Sequence, residues 1–566
     1  FIVEALDWLV IGVFFLALIG IIVWVVRQKQ NDSADYFLGG RDATWLAIGA
    51  SIFASNIGSE HLIGLAGAGA SSGMAMAHWE IQGWMILILG WVFVPFYTRS
   101  MVYTMPEFLE RRYNPQSRTI LSVISLVSYV LTKVAVTVYA GGLVFQQVFG
   151  IKELWGIDFF WIAAIGLVVL TALYTIFGGM KSVLYTSVLQ TPILLLGSLI
   201  ILVLGFKELG GWDEMMRVCG AVTVNDYGDT MTNLIRSNDD ANFPWLGALI
   251  GSAIIGFWYW CTDQFIVQRV LSGKNEMEAR RGTIFGAYLK LLPVFLFLIP
   301  GMIAFALHQK YIGAGGEGFL PMLANGTANA DAAFPTLVAK LLPAGVKGLV
   351  VCGILAALMS SLASLFNSSA MLFTIDFYKR FRPETPEKKL VGIGQVATVV
   401  IVILGILWIP IMRSVGDVLY TYLQDVQSVL APGIAAAFLL GICWKRTSAQ
   451  GGMWGLIAGM VIGLTRLGAK VYYSNAGEVA DSTFKYLFYD MNWLFFCGWM
   501  FLFCIIVVIV VSLATEAPTA EKIQGLVFGT ATKEQKAATR ASWNHWDIIH
   551  TVIILAITAA FYWYFW

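Results

Sequence analysis

Apolar runs about as long as a bilayer is thick recur along the whole chain, and short segments between them hold most of its charge. At about twenty residues per crossing, windows fall at roughly 5–26, 42–69, 76–98, 119–149, 157–177, 183–205, 244–270, 283–308, 344–378, 390–412, 417–442, 451–473, 492–513 and 548–566. This predicts an all-α polytopic membrane protein of about fourteen helices. Two windows are interrupted in the middle. The first carries Ala54-Ser55-Asn56-Ile57-Gly58-Ser59-Glu60-His61, and the second has Gly251 and Gly256 before Trp258-Tyr259-Trp260-Cys261-Thr262-Asp263-Gln264. A bilayer offers no water to an unpaired backbone group, so a spanning helix breaks only where it faces a cavity or an ion. Paired breaks at corresponding positions predict two inverted five-helix repeats around one central site. The expected division is a peripheral helix in 1–30, repeats in 36–206 and 243–443, and peripheral helices in 444–566.

Composition agrees: 58% of residues are hydrophobic and 13% charged, with mean hydropathy +0.74, against about 25% charged in soluble domains. The loops leave no room for an independently folding soluble core, so function is expected in the bundle. The six cysteines form no CxxC pair and support neither a disulfide framework nor a zinc site. A formal charge of +1 offers no global attraction to nucleic acid. The first apolar run, Ile2 to Val26, lacks a basic flank and a small-residue cleavage site, so it is expected to stay as a span. Lys and Arg concentrate in alternate loops, among them Arg111, Arg112, Arg118, Arg269, Arg280, Arg281, Lys388 and Lys389. The positive-inside rule then places both termini outside the cell membrane. The hydrophilic stretch from Glu516 to Asp547 falls inside and is expected to hold an amphipathic surface segment.

Several motifs carry a family likeness. Asp35-Tyr36-Phe37-Leu38-Gly39-Gly40-Arg41-Asp42 and Gly49 to Ser59 open it. Tyr259 to Gln264 with Val267-Gln268-Arg269, Gly286 to Leu291, Leu358-Met359-Ser360-Ser361-Leu362 with Phe366-Asn367-Ser368, and Ile434-Ala435-Ala436 with Trp444-Lys445-Arg446 continue it. In order and spacing these resemble the sodium–glucose cotransporters of the solute:sodium symporter family, over about residues 35–470. The resemblance implies a LeuT-type fold with discontinuous helices and sodium-driven sugar uptake.

Sodium is a hard cation that takes oxygen ligands, which an unwound helix offers as carbonyls and a neighbouring helix as hydroxyls. The resemblance implies a site made by the carbonyls of Ala54, Ile57 and Ala357 with the hydroxyls of Ser360 and Ser361. The same small residues also suit close helix packing, with serines bonding back to their own helix. Many relatives have a second ion site with an aspartate and a threonine where this chain has Ser187 and Ala363, so one sodium per substrate is expected.

Ionisable groups inside a membrane are costly and mark sites or pathways. His61, Glu80 and Lys290 are three, and a neutral sugar needs such mixed donors and acceptors together with amides. The resemblance implies that Asn56, His61, Glu80, Lys290 and Gln424 bond the sugar hydroxyls while Trp260 lies against the ring. The alternatives are a charge pair between Glu80 and Lys290 and an interhelical bond for His61, with Glu60 as its partner. Tyr259 is the expected inner gate, and Leu65, Trp79 and Tyr420 the outer one. Aromatics in membrane proteins also form interfacial belts and packing. The run Gly64 to Gly69 lacks the preceding strand and the Gly-Lys-Ser/Thr of a phosphate loop. No catalytic constellation or organic cofactor is indicated.

The function expected is coupled import of glucose or galactose by alternating access. The partners are the sugar, sodium and the bilayer, and fourteen helices suffice for a working monomer. The alternatives are a sodium symporter for myo-inositol, sialic acid or an amino acid, and a sugar-gated sensor or leak channel. Glu80 disfavours an anionic substrate.

Overall fold

Helices form wherever the sequence is apolar for long enough, because in hydrocarbon only an internally bonded backbone is stable. The computed structural model describes residues 4–28, 32–58, 60–322, 326–415 and 417–566, apart from the side chains of 60, 130–132, 135–136, 140, 143, 147, 331, 408–426, 471 and 474–475. Among the described residues ten helices are long and apolar enough to cross a membrane. They are Ala5–Val26, Gly73–Ser100, Phe159–Leu209, Trp245–Thr262, Glu276–Gly313, Val346–Lys379, Glu387–Leu407, Ala449–Lys470, Trp493–Ala514 and His545–Phe565. Trp45–Asn56 and Gln427–Cys443 are shorter apolar helices.

The predicted windows 157–177 and 183–205 lie on one assigned helix, Phe159–Leu209, which breaks at Gly179 (φ 60°, ψ −148°). Only glycine fits that break, since a Cβ there would stand 2.3 Å from the carbonyl oxygen of Tyr36. The 159–209 and 346–371 helices share the most extensive helix–helix interface, and Trp45–Asn56 packs against both and against 276–290. Close approach also governs Gly301, where a Cβ would stand 2.0 Å from the Ala66 carbonyl oxygen. Small residues thus let the backbone of the first broken span lie directly against its neighbour.

The outer helices are less buried. Ala5–Val26 docks through Ile11, Phe14 and Leu18 and leaves Leu9, Val13 and Leu16 exposed. Asp7 fastens it, accepting the amides of Gly345 at 2.5 Å and Gly348 at 2.8 Å. At the far terminus the Leu234 amide donates to the Phe565 carbonyl at 2.9 Å, and Lys310 Nζ reaches the Leu209 carbonyl at 3.0 Å. The start of the first helix and the end of the last therefore lie at the end of the bundle that carries loops 206–243 and 309–345.

At the opposite end three arginines assigned to loops by sequence are buried: Arg112, Arg269 and Arg280. Arg112 caps a helix C-terminus, donating to the carbonyls of Gly441 at 2.7 Å and Trp444 at 3.2 Å. Sequence could not separate such caps from solvated loop charges. Between Thr515 and Asn544, where a surface segment is expected, a helix Lys533–Ala541 forms behind a capping box of Thr532 and Gln535. Among the described residues all six cysteines are free.

Candidate functional site

Both predicted interruptions are real breaks. Trp45–Asn56 ends at Ile57, which is extended (φ −80°, ψ 114°), and the chain resumes as a π-helical turn, Glu60–Leu65. The Ile57 amide still donates to Phe53, but no described N–H donates to the carbonyls of Ala54 or Ile57. In the second, a π-turn Trp258–Thr262 gives way at Asp263 (φ −82°, ψ 132°) before Gln264–Leu271 begins. The breaks face one cavity of about 130 Å³, whose lining includes Asn56, His61, Leu65, Trp79, Glu80, Tyr259, Trp260 and Lys290. Residues from five separate helical segments are brought together there.

The centre of the cavity is Glu80. Lys290 Nζ donates to its Oε2 at 2.7 Å, and His61 Nε2 stands 3.2 Å from the same oxygen. The partner of His61 is thus Glu80; the Glu60 side chain lies outside the described residues. Lys290 Nζ also sits 5.2 Å from the Trp260 ring centroid, a cation–π distance. Asn56 Nδ2 and His61 Nδ1 are buried without a hydrogen-bond partner among the described residues. Buried polar atoms normally have partners, so two orphans on one cavity wall mark a place for a polar ligand.

Aromatic groups close the cavity on either side. Trp79 stacks on Trp493 with centroids 5.7 Å apart and planes 12° from parallel, and its edge meets Phe243 at 5.8 Å. On the other side Lys133 Nζ pairs with Asp263 Oδ2 at 3.1 Å and lies 5.2 Å from the Tyr259 ring. Tyr129 donates to the other oxygen of Asp263, and the Phe265 amide donates to the Tyr129 hydroxyl at 3.1 Å. A buried ion pair thus forms a floor beneath Tyr259.

The serine-bearing helix passes the first break. A Cβ on Gly58 would stand 3.2 Å from Ser361 Oγ, which puts that hydroxyl beside the unwound backbone. Ala357 is fully buried on the same helix. Ser360 Oγ donates instead to Gln190 Oε1. Ser364, one turn on, donates to the Ser360 carbonyl at 2.9 Å and bonds Ser55, whose hydroxyl receives Arg269 Nε at 3.3 Å. Ser187 donates to Val183 on its own helix at 2.6 Å, as a plain packing serine does.

Tyr420 and Gln424 stand on helix Asp417–Cys443, but their side chains lie outside the described residues. Sequence reading missed Gln427, Gln82, Trp493 and the Lys133–Asp263 pair. Two signals were available: Gln427 is one turn beyond Gln424, and Lys133 is a lone cation inside an apolar window.

Comparison with known proteins agrees with this architecture. Residues 36–459 match the model of the sodium:solute symporter family. The sodium/myo-inositol cotransporter 2 of Homo sapiens is 36% identical over 541 residues, covering 93% of this chain and 79% of that protein. The sodium/glucose cotransporter 4 of Danio rerio is 36% identical over 539 residues, covering 92% and 80%. Among solved structures, a substrate-bound, outward-open sodium-coupled sialic acid symporter superposes with TM-score 0.73 at 22% identity, over 91% of this chain and 99% of that one. The fold is that of LeuT-type transporters. Carrying sodium and a small solute across a membrane rather than catalysing a reaction, the chain belongs to the sodium:solute symporter family.

Proposed function

We propose that this symporter imports a neutral sugar, glucose or galactose, with one sodium per sugar, by alternating access. The observation that carries the reading is the pairing of the unpartnered Asn56 Nδ2 and His61 Nδ1 with the Glu80–Lys290 pair around one cavity. A polyol hydroxyl both donates and accepts, so a carboxylate, an ammonium, an imidazole and an amide suit it without selecting for net charge. Trp260 offers a flat apolar face of the kind a sugar ring stacks on. In this reading Asn56, His61, Glu80, Lys290 and Gln424 hold the hydroxyls. Tyr259 is the inner gate, and Leu65, Trp79 and Tyr420 are the outer one. Sodium sits against the carbonyls of Ala54, Ile57 and Ala357 and the hydroxyls of Ser360 and Ser361. The absence of an acid at Ser187 and of a hydroxyl at Ala363 supports a single ion.

The reading extends to topology: about fourteen spans, inverted repeats in 36–206 and 243–443, and both termini outside a cell membrane in which the protein works as a monomer. A myo-inositol substrate is the second reading, favoured by the similarity to the human cotransporter of that name. Uptake of labelled glucose, galactose and myo-inositol into proteoliposomes separates the two, under an inward sodium gradient with potassium as control. Sodium-dependent accumulation of a hexose, abolished in Gln424→Ala, is the expected outcome. Accumulation of inositol alone replaces the hexose assignment, and equilibration without accumulation rejects coupled import.

A further inference from the structure

Away from the central site, a groove of about 950 Å³ opens on the outer face of the bundle between helices Pro115–Ser128, Val346–Lys379 and Glu387–Val415. Its walls are apolar. Val396, Val400 and Leu404 are 45–64% exposed along one side, and Val127 and Phe373 face them at 52% and 42%. At one end stand Lys389 and Tyr378, the groove's polar side chains. Lys389 is exposed and, among the described residues, has no carboxylate within ion-pair distance. Its neighbours 379–388 add Lys379, Arg380, Arg382 and Lys388 against Glu384 and Glu387. Glu387 is already turned away, accepting the Ser33 hydroxyl at 2.6 Å and facing Lys379 at 3.7 Å.

We infer that this groove binds one anionic glycerophospholipid, its phosphate held by Lys389 and Tyr378 and an acyl chain laid along Val396, Val400 and Leu404. Charge complementarity selects the headgroup. The mouth presents an ammonium and a phenol as donors and no carboxylate, so a phosphate is matched and a choline would place a second cation beside Lys389. Length selects a lipid over a membrane-spanning helix. From Lys389 to Leu404 the helix rises about 22 Å, more than the ~15 Å of a single leaflet's hydrocarbon but short of the ~30 Å a spanning partner would cover. Among the described residues the groove's lining accordingly ends at Leu404, within the membrane, where an acyl chain ends. The inference is independent of the substrate assignment, since none of these residues lines the central cavity.

The test is native mass spectrometry of the full chain taken from bilayers of equal phosphatidylglycerol and phosphatidylcholine, with thermal melting of every variant as a control for folding. Wild type is expected to retain one phosphatidylglycerol in preference to phosphatidylcholine. Lys389→Gln, a surface change, should reduce that preference about fivefold, the weight of one basic residue at an anionic surface. Val396→Trp, which fills the groove, should release either lipid at unchanged melting temperature. Equal retention of the two lipids by wild type, an unchanged preference in Lys389→Gln, or a protein dimer in place of the lipid adduct would overturn the assignment.

Discussion

Lys290 and Glu80, 210 residues apart in sequence, meet at 2.7 Å inside the membrane, and His61 reaches the same carboxylate oxygen at 3.2 Å. The three groups are chemically interdependent: each is tolerable in that setting because the others are there. Removing one partner of a buried pair leaves an uncompensated charge and costs about 3–5 kcal/mol, whereas removing both is far milder. Glu80→Gln alone is therefore expected to lower thermal stability markedly. Glu80→Gln with Lys290→Met should recover much of the melting temperature while uptake stays abolished. Recovery of uptake in the double variant would mean that the pair serves the fold and not the solute.

Ser360 Oγ is engaged by Gln190, while Ser361 Oγ lies beside the unwound Gly58. If Ser360 must leave Gln190 to meet sodium, weakening that bond should favour the ion. Gln190→Met keeps the volume and removes the acceptor, and its half-saturating sodium concentration should fall about fivefold, the worth of a typical hydrogen bond. Ser361→Ala should raise it by about tenfold or more, since a hydroxyl facing an ion is worth more than one facing a neutral group. Sodium titration of initial uptake rates measures both, and an increase in Gln190→Met would show that the glutamine supports the site.

Gly301 lies where the neighbouring backbone leaves no space, with the Ala66 carbonyl 2.0 Å from a would-be Cβ. Gly301→Ala is expected to destabilise by about 1–3 kcal/mol through overpacking. Gly12, whose Cβ would meet nothing within 4 Å, is the matched control and should accept alanine without loss. Melting temperatures of the two variants in detergent decide the comparison.

Asp240, in the long loop before Trp245–Thr262, ties that loop together. Its carboxylate accepts Asn225 Nδ2 at 2.7 Å and the amides of Asn242 at 2.9 Å and Phe243 at 2.8 Å. Burial acts to raise its pKa, but Asn225, the two amides and nearby Arg236 outweigh burial and hold it below the usual carboxylate value. A carboxyl whose pKa is lower folded than unfolded stabilises above its unfolded pKa, and the gain is lost as pH falls through the folded one. The melting-temperature difference between wild type and Asp240→Asn should be constant above about pH 5 and shrink as pH drops below about 4. A difference independent of pH would mean that the loop does not depend on the charge.

The hydrophobic pattern by itself determined that the chain is a helical membrane bundle, because a long apolar run in hydrocarbon has one stable backbone solution. It also located both breaks, since clustered polar and glycine residues in mid-span are costly in hydrocarbon unless they face a cavity, an ion or a close neighbour. Single charges inside apolar runs flagged His61, Glu80 and Lys290 on the same ground. Distance was beyond its reach. That His61 meets Glu80, that Arg269 is buried instead of lying in a loop, and that Gln190 holds Ser360 were decided by which helices pack together. So was the floor that Lys133 and Asp263 build under Tyr259, a pair formed across 130 residues. Pattern along a chain records what each residue costs in its solvent, and only tertiary packing assigns the partner that repays it.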